Sequence, residues 1–178
     1  MKVPIGADRG TVWVAAAGIM AGAGYLASSA PFWPSLLLFV NLFALALYDW
    51  HSFRLPNLLT AVFFISGGLY LLAAPYVPVA DHLIGAAVGL FIFPAINFLY
   101  KRLRGRDGIG MGDAKLLAGI GLWMTWQALP FVLLTASLTG LMFAGLIYAS
   151  KKTITRASKL PFGTFLCFGC WTVWLVAW

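Results

Sequence analysis

Apolar residues along this chain come in long runs, separated by short segments that carry proline or basic residues. Gly10 to Tyr48 holds 39 consecutive uncharged residues, broken only by Pro31 and Pro34. A helix crossing the hydrocarbon core of a bilayer takes about 20 residues. The run therefore predicts two helices joined by a tight turn at Ala30–Pro34. Leu55–Ala80 predicts a third span ending near Pro75, Leu83–Tyr100 a fourth, and Leu160–Trp178 a last. Between these, Leu116–Ser150 supplies 35 uncharged residues with a break near Trp126–Pro130, slightly less chain than two full crossings need. The pattern predicts an all-α, polytopic transmembrane bundle of about seven spans. It forms one domain over residues 1–178, with an extra N-terminal span in 1–33 and a six-helix core in 34–178. The first apolar stretch follows a basic start, as in a secretory signal, but it is longer than a signal core.

Charge orients this bundle. Lys2 and Arg9 precede the first span, and Arg54 lies between the second and third. Lys101, Arg102, Arg104, Arg106 and Lys115 lie between the fourth and fifth, and Lys151, Lys152, Arg156 and Lys159 between the sixth and seventh. These are all twelve basic residues, and they fall in alternate gaps. The largest loops, Lys101–Asp107 and Lys151–Lys159, are short and basic. The positive-inside tendency then puts the N-terminus in the cytoplasm and the C-terminus outside, as in a multi-pass protein of the cytoplasmic (inner) membrane. Composition agrees: 62% of residues are apolar and 10% charged, against about 25% charged in soluble domains. The net charge of +7 sits between apolar spans, which suits a lipid surface and not nucleic acid.

Candidate chemistry is confined by a short acidic inventory. Glu is absent, and the acids are Asp8, Asp49, Asp81, Asp107 and Asp113. Ionisable residues at membrane depth are costly and are functional candidates. Asp49 falls at the cytoplasmic end of the second span and Asp113 at the start of the fifth, so both lie at one depth on one side. Two neighbouring carboxylates share a proton, because like charges a few ångströms apart do not both ionise. One then takes a proton from water while the other donates to a carbonyl. The competing reading makes them structural, Asp49 paired with Arg54 and Asp113 with Lys115 or a neighbouring loop Arg. Gly110 and Gly112 precede Asp113, where glycine permits positive φ and close backbone approach. Asp81 is expected to cap the fourth span, Asp107 and Asp8 to be solvated, and His51 to be interfacial. Cys167 and Cys170, a lone CxxC, are expected to be small buried residues and not a zinc site.

Three segments carry a family resemblance. Asp49-Trp50-His51-Ser52-Phe53-Arg54-Leu55-Pro56-Asn57 resembles the first aspartate motif of type IV prepilin peptidases, an Asp followed by an aliphatic-Pro-Asn string. Gly110-Met111-Gly112-Asp113-Ala114-Lys115-Leu116 resembles the second, GxGD followed by a small residue and Lys. Leu160-Pro161-Phe162-Gly163 is similar to a Pro-Phe-Gly string near the family's last helix. The resemblance covers about residues 36–178. It implies an aspartyl endopeptidase that removes the basic leader of prepilins or pilin-like proteins at the cytoplasmic membrane face. Asp49 and Asp113 would be catalytic, supported by Pro56, Asn57, Gly110, Gly112 and Lys115, with no cofactor or metal. Larger, bifunctional members carry an insert with two CxxC pairs associated with N-methylation. This sequence has no such insert and resembles the short, peptidase-only members, including those of tight-adherence and archaellin-type systems. Tyr48-Asp49 with GxGD also resembles presenilin and signal peptide peptidase, but there the acids lie on consecutive helices, whereas two spans intervene here. The remaining alternative is a non-enzymatic assembly or transport subunit.

Helix polarity gives an expectation for the two roles. Asp49 ends a helix, where the dipole disfavours negative charge, and Asp113 begins one, where the dipole favours it. On that basis Asp113 is the ionised base and Asp49 the protonated acid.

Overall fold

The computed structural model describes residues 18, 22–26, 28–74, 78–105, 110–149 and 160–177. Gly18 and residues 22–26 are helical; the rest of the predicted first span lies outside the described residues, as do Asp8, Asp107 and the segment Lys151–Lys159. Among the described residues there is no strand. Six α-helices follow in order: α1 Phe32–Ser52, α2 Asn57–Ala73, α3 Val79–Arg104, α4 Met111–Met124, α5 Leu129–Ala149 and α6 Phe162–Ala177, with a 3-10 turn at Trp126–Ala128 between α4 and α5. They match the second to seventh predicted spans, and the chain is an all-α helical membrane bundle. Phe32–Ser52, Val79–Leu103 and Trp126–Ile147 are each long and apolar enough to cross a bilayer, and α2 and α6 are shorter apolar helices. Leu72, Phe91, Leu141, Met142 and Val176 point outward with most of their surface bare, an apolar exterior suited to lipid and not to water.

Several boundaries differ from expectation, each for a local reason. α1 starts inside the predicted turn, because Pro31 occupies the cap position and Pro34 falls in the first helical turn, where no intrahelical N–H is needed. α3 begins at Val79 and runs to Arg104, longer than its apolar stretch. Lys101 and Arg102 thus extend the helix and do not form a loop, with Gly105 closing it at φ 71 and its N–H on Lys101 O. Basic side chains at a helix C-terminus are favoured by the dipole. Asp81 does not cap α3. Pro78 holds that position without a side-chain bond, and Asp81, in the first turn, accepts from Trp126 Nε1 at 3.2 Å.

α4 is the central post of the bundle. Ala114 and every residue from Leu116 to Trp123 are buried, the mark of a helix enclosed on all sides. It packs most extensively on α3, then on α2 and α6, while α1 lies against α6 and α2, and α5 against α6. Its 14 residues span roughly 20 Å, less than the ~30 Å hydrocarbon core. Protein covers it on every side, so its length is not set by lipid. Close contact with α3 rests on small residues, as in many membrane helix pairs. A Cβ added at Gly85 would sit 2.5 Å from Gly121 O, and one at Gly89 would meet the Leu117 carbonyl. Lower on the post, Trp123 stacks on Phe63 and Tyr70 with ring centroids 6.3 and 5.0 Å away, and its Nε1–H donates to Phe63 O at 3.2 Å.

Candidate active site

The register of α1 places Asp49. Its buried residues are Ser35, Leu38, Leu42, Leu45, Ala46 and Asp49, spaced by threes and fours, so they form one inward stripe. Asp49 ends that stripe and is only 4% exposed. The helix stops four residues later at Phe53, which takes a left-handed conformation (φ 51) and returns its N–H to Asp49 O at 2.8 Å. Leu55 precedes a proline and is thereby held extended. Pro56 then stands at the cap of α2, and Asn57 is its first residue. The Leu-Pro-Asn string is thus a short reversal that sets α2 beside α1.

Asp113 is the third residue of α4 and is half-buried. The acids are 64 positions apart in sequence, yet the two carboxylates lie within electrostatic range of one another. Gly112 lets the start of α4 pack closely on Leu55, since a Cβ there would stand 3.2 Å from Leu55 Cβ. Positive φ plays no part. Gly110 caps α4 with φ −75, an added Cβ there would stand 3.8 Å from Asp113 Oδ2, and Gly105 is the positive-φ glycine among the described residues. Lys115 does not serve Asp113 but donates from Nζ to Asn57 Oδ1 at 2.7 Å. This bond ties the two motif segments together on the outside of the site. His51 is exposed, and its Nδ1–H donates to Leu47 O at 2.8 Å.

The start of α6 completes the site, and sequence reasoning missed its part. Thr164 donates its backbone N–H to Asp49 Oδ2 at 2.8 Å, and its hydroxyl lies 3.2 Å from both Asp49 Oδ2 and Ala46 O. Glycine is required at 163, because a Cβ would lie 2.9 Å from Asp49 Oδ2 and 3.1 Å from Leu55 Cδ1. The Pro-Phe-Gly string therefore begins a helix whose first turn faces a carboxylate, an arrangement that favours negative charge there. Hydrogen bonds to a charged group contribute about 1.5–3 kcal/mol, whereas a helix end contributes about 0.3–1 kcal/mol. Cys167, one turn further on, is buried within range of both acids. Cys170 is also buried and free. Among the described residues no group of three or more His, Cys, Asp or Glu is placed to hold a metal ion. Beside Thr164 an apolar cavity of about 350 Å³ opens between α1, α5 and α6, lined by Ala46, Trp50, Phe143, Phe165 and Trp171 among others.

A model of the type IV leader peptidase family matches residues 36–145, a span that holds both acids. This chain belongs to that family. Type IV leader peptidase relatives include the prepilin leader peptidase/N-methyltransferase of Aeromonas salmonicida (strain A449), 40% identical over 138 residues that make up 77% of this chain and 47% of that protein. The protein of the same description from Aeromonas hydrophila is 37% identical over 145 residues, 80% of this chain and 50% of the other. That of Burkholderia pseudomallei (strain K96243) is 35% identical over 171 residues, 94% and 54% of the two chains. The chain thus spans about half the length of the curated relatives it matches. No solved structure matches it.

Proposed function

We propose that this chain is a membrane aspartyl endopeptidase that cleaves the leader from prepilins or pilin-like proteins at the cytoplasmic face of the inner membrane. The observation that carries this reading is the arrival of Asp49 and Asp113 at one end of the bundle, within electrostatic range of each other, where Gly112 of one motif and Gly163 beside Asp49 both pack on Leu55. The names of the relatives supply the substrate class. Its partners are the prepilin or pseudopilin substrate and the lipid bilayer.

The pair works with one shared proton. The ionised carboxylate draws a proton from water, and the resulting hydroxide attacks the carbonyl carbon of the scissile peptide. The protonated carboxyl gives its proton to the carbonyl oxygen. Collapse of the tetrahedral intermediate breaks the C–N bond, and the proton taken from water leaves with the amine. A leader that is basic stays in the cytoplasm while its apolar helix lies in the membrane, so the scissile bond falls at the boundary. The N-terminus of this chain is then cytoplasmic, with all twelve basic residues on the side of the two acids.

Asp49→Asn and Asp113→Asn proteins, reconstituted in lipid with a prepilin, test the proposal. Both are expected to insert normally and to cleave at least about 10²-fold more slowly than wild type, and wild-type cleavage is expected to survive thorough chelation. Cleavage by either variant at the wild-type rate would refute the two-acid mechanism. Normal insertion with loss of a partner complex, and no cleavage even by wild type, would identify an assembly subunit.

A further inference from the structure

Resting on that reading, we propose that Asp49 is the ionised base of the pair, with Thr164 its positioning residue and Asp113 the protonated acid. This reverses the order expected from the polarity of the helices that carry the two acids.

The geometry at Oδ2 carries the inference. A backbone N–H at 2.8 Å keeps a proton off Oδ2, and donors converging on one carboxyl oxygen bind the charged form more strongly than the neutral one. A proton on Oδ2 would also meet the Thr164 hydroxyl, 3.2 Å away, in competition with the N–H for the same oxygen. The first turn of α6 brings the N–H of Thr164 to this carboxyl, so the positive end of one helix offsets the negative end of another. A buried charge is tolerated when it is hydrogen-bonded, and Asp49 is the buried member that has these bonds. Asp113 is more open, and none of the described residues is recorded as donating to its carboxyl. It is placed to keep a proton and pass it to a substrate carbonyl. Among the described residues, Asp113 on α4 and Cys167 on α6 lie within electrostatic range of Asp49, His51 and Arg54 are its neighbours along the chain, and Lys115 follows Asp113 on α4. Lys115 is engaged by Asn57 and His51 by Leu47.

The pH dependence of kcat/KM for leader cleavage separates the two assignments. In a coupled pair the first proton leaves the base and the second leaves the acid. Weakening the bonds to Asp49 therefore moves the acidic limb if Asp49 is the base, and the alkaline limb if it is the acid. Thr164→Pro removes both the N–H and the hydroxyl at a first-turn position that accepts proline. It is expected to move the acidic limb up by about one pH unit and leave the alkaline limb in place. Thr164→Val, which removes the hydroxyl alone, is expected to give a smaller shift of the same limb and serves if the proline variant does not fold. Thr164→Ser is expected to overlay the wild type. Movement of the alkaline limb, or of neither limb, overturns the assignment. A wild type that cuts no prepilin would overturn the proposed function instead. Infrared difference spectra of Asp113→Asn give a second readout. The carboxyl band of Asp49 is expected only on acidification, and its presence at neutral pH sinks the proposal.

Discussion

The two ends of α4 make opposite uses of buried polar groups. At its C-terminal end, His82 on α3 is only 4% exposed, and its Nδ1–H donates to Leu122 O at 2.7 Å. Asp81 beside it accepts from Trp126, and Gly85 lies against Gly121. Each polar group there is matched to a neutral partner on the neighbouring element, and the helices are in backbone contact. At the N-terminal end, two acidic side chains lie within electrostatic range of each other. One is held by the first turn of α6 and the other is left half-open. Buried polar groups that are fully matched rigidify a fold. Two carboxyls within electrostatic range of each other add no such matching, which is what the proposed two-acid chemistry needs.

Substitutions at the two ends should separate these uses. The largest effect is expected at the acids. Asp49→Asn or Asp113→Asn should lower leader cleavage by about 10²–10⁴-fold with little loss of thermal stability in detergent. An equal loss of stability and activity would place the acids with the structural polar groups of the other end. Next comes His82→Leu, which leaves the Leu122 carbonyl without its donor. It should cost about 1–3 kcal/mol, read as a fall of several degrees in the unfolding midpoint, while the pH dependence of cleavage stays unchanged.

Gly121→Ala probes the packing alone. The added methyl meets the Gly85 carbonyl, so α3 and α4 must part, at about 1–3 kcal/mol. The midpoint should drop, and cysteine crosslinking of α3 to α4 near this crossing should weaken. The smallest effect is expected for Asn57→Ala, which removes the exposed Lys115 bond. Such a bond contributes under about 1 kcal/mol. Cleavage should fall by less than tenfold through kcat, and Lys115→Ala should match it without adding to it in the double variant. Additive losses would show that the two side chains do not act as a pair.

The sequence by itself determined the all-α membrane architecture, because long apolar runs in lipid leave helices as the main way to satisfy the backbone. It also gave Asp49 and Asp113 one depth at the ends of their spans, whereas the inward stripe that buries Asp49 emerged only from packing. The family strings around Asp49 and Asp113 marked which acids to watch, and a model of the same family matches the chain. Tertiary structure decided the rest. Asp81 turned from a cap to a partner of Trp126, because proline took the cap and a distant turn packed alongside. Gly112 proved to matter for contact with Leu55 and not for its φ. Thr164 gave no signal in sequence, since a hydroxyl at the start of an apolar helix looks like any first-turn residue. Its meaning depends on which helix end it faces, 115 residues away along the chain. Local sequence sets the direction of a side chain on its own helix, whereas the bonds it receives are set by how the helices pack.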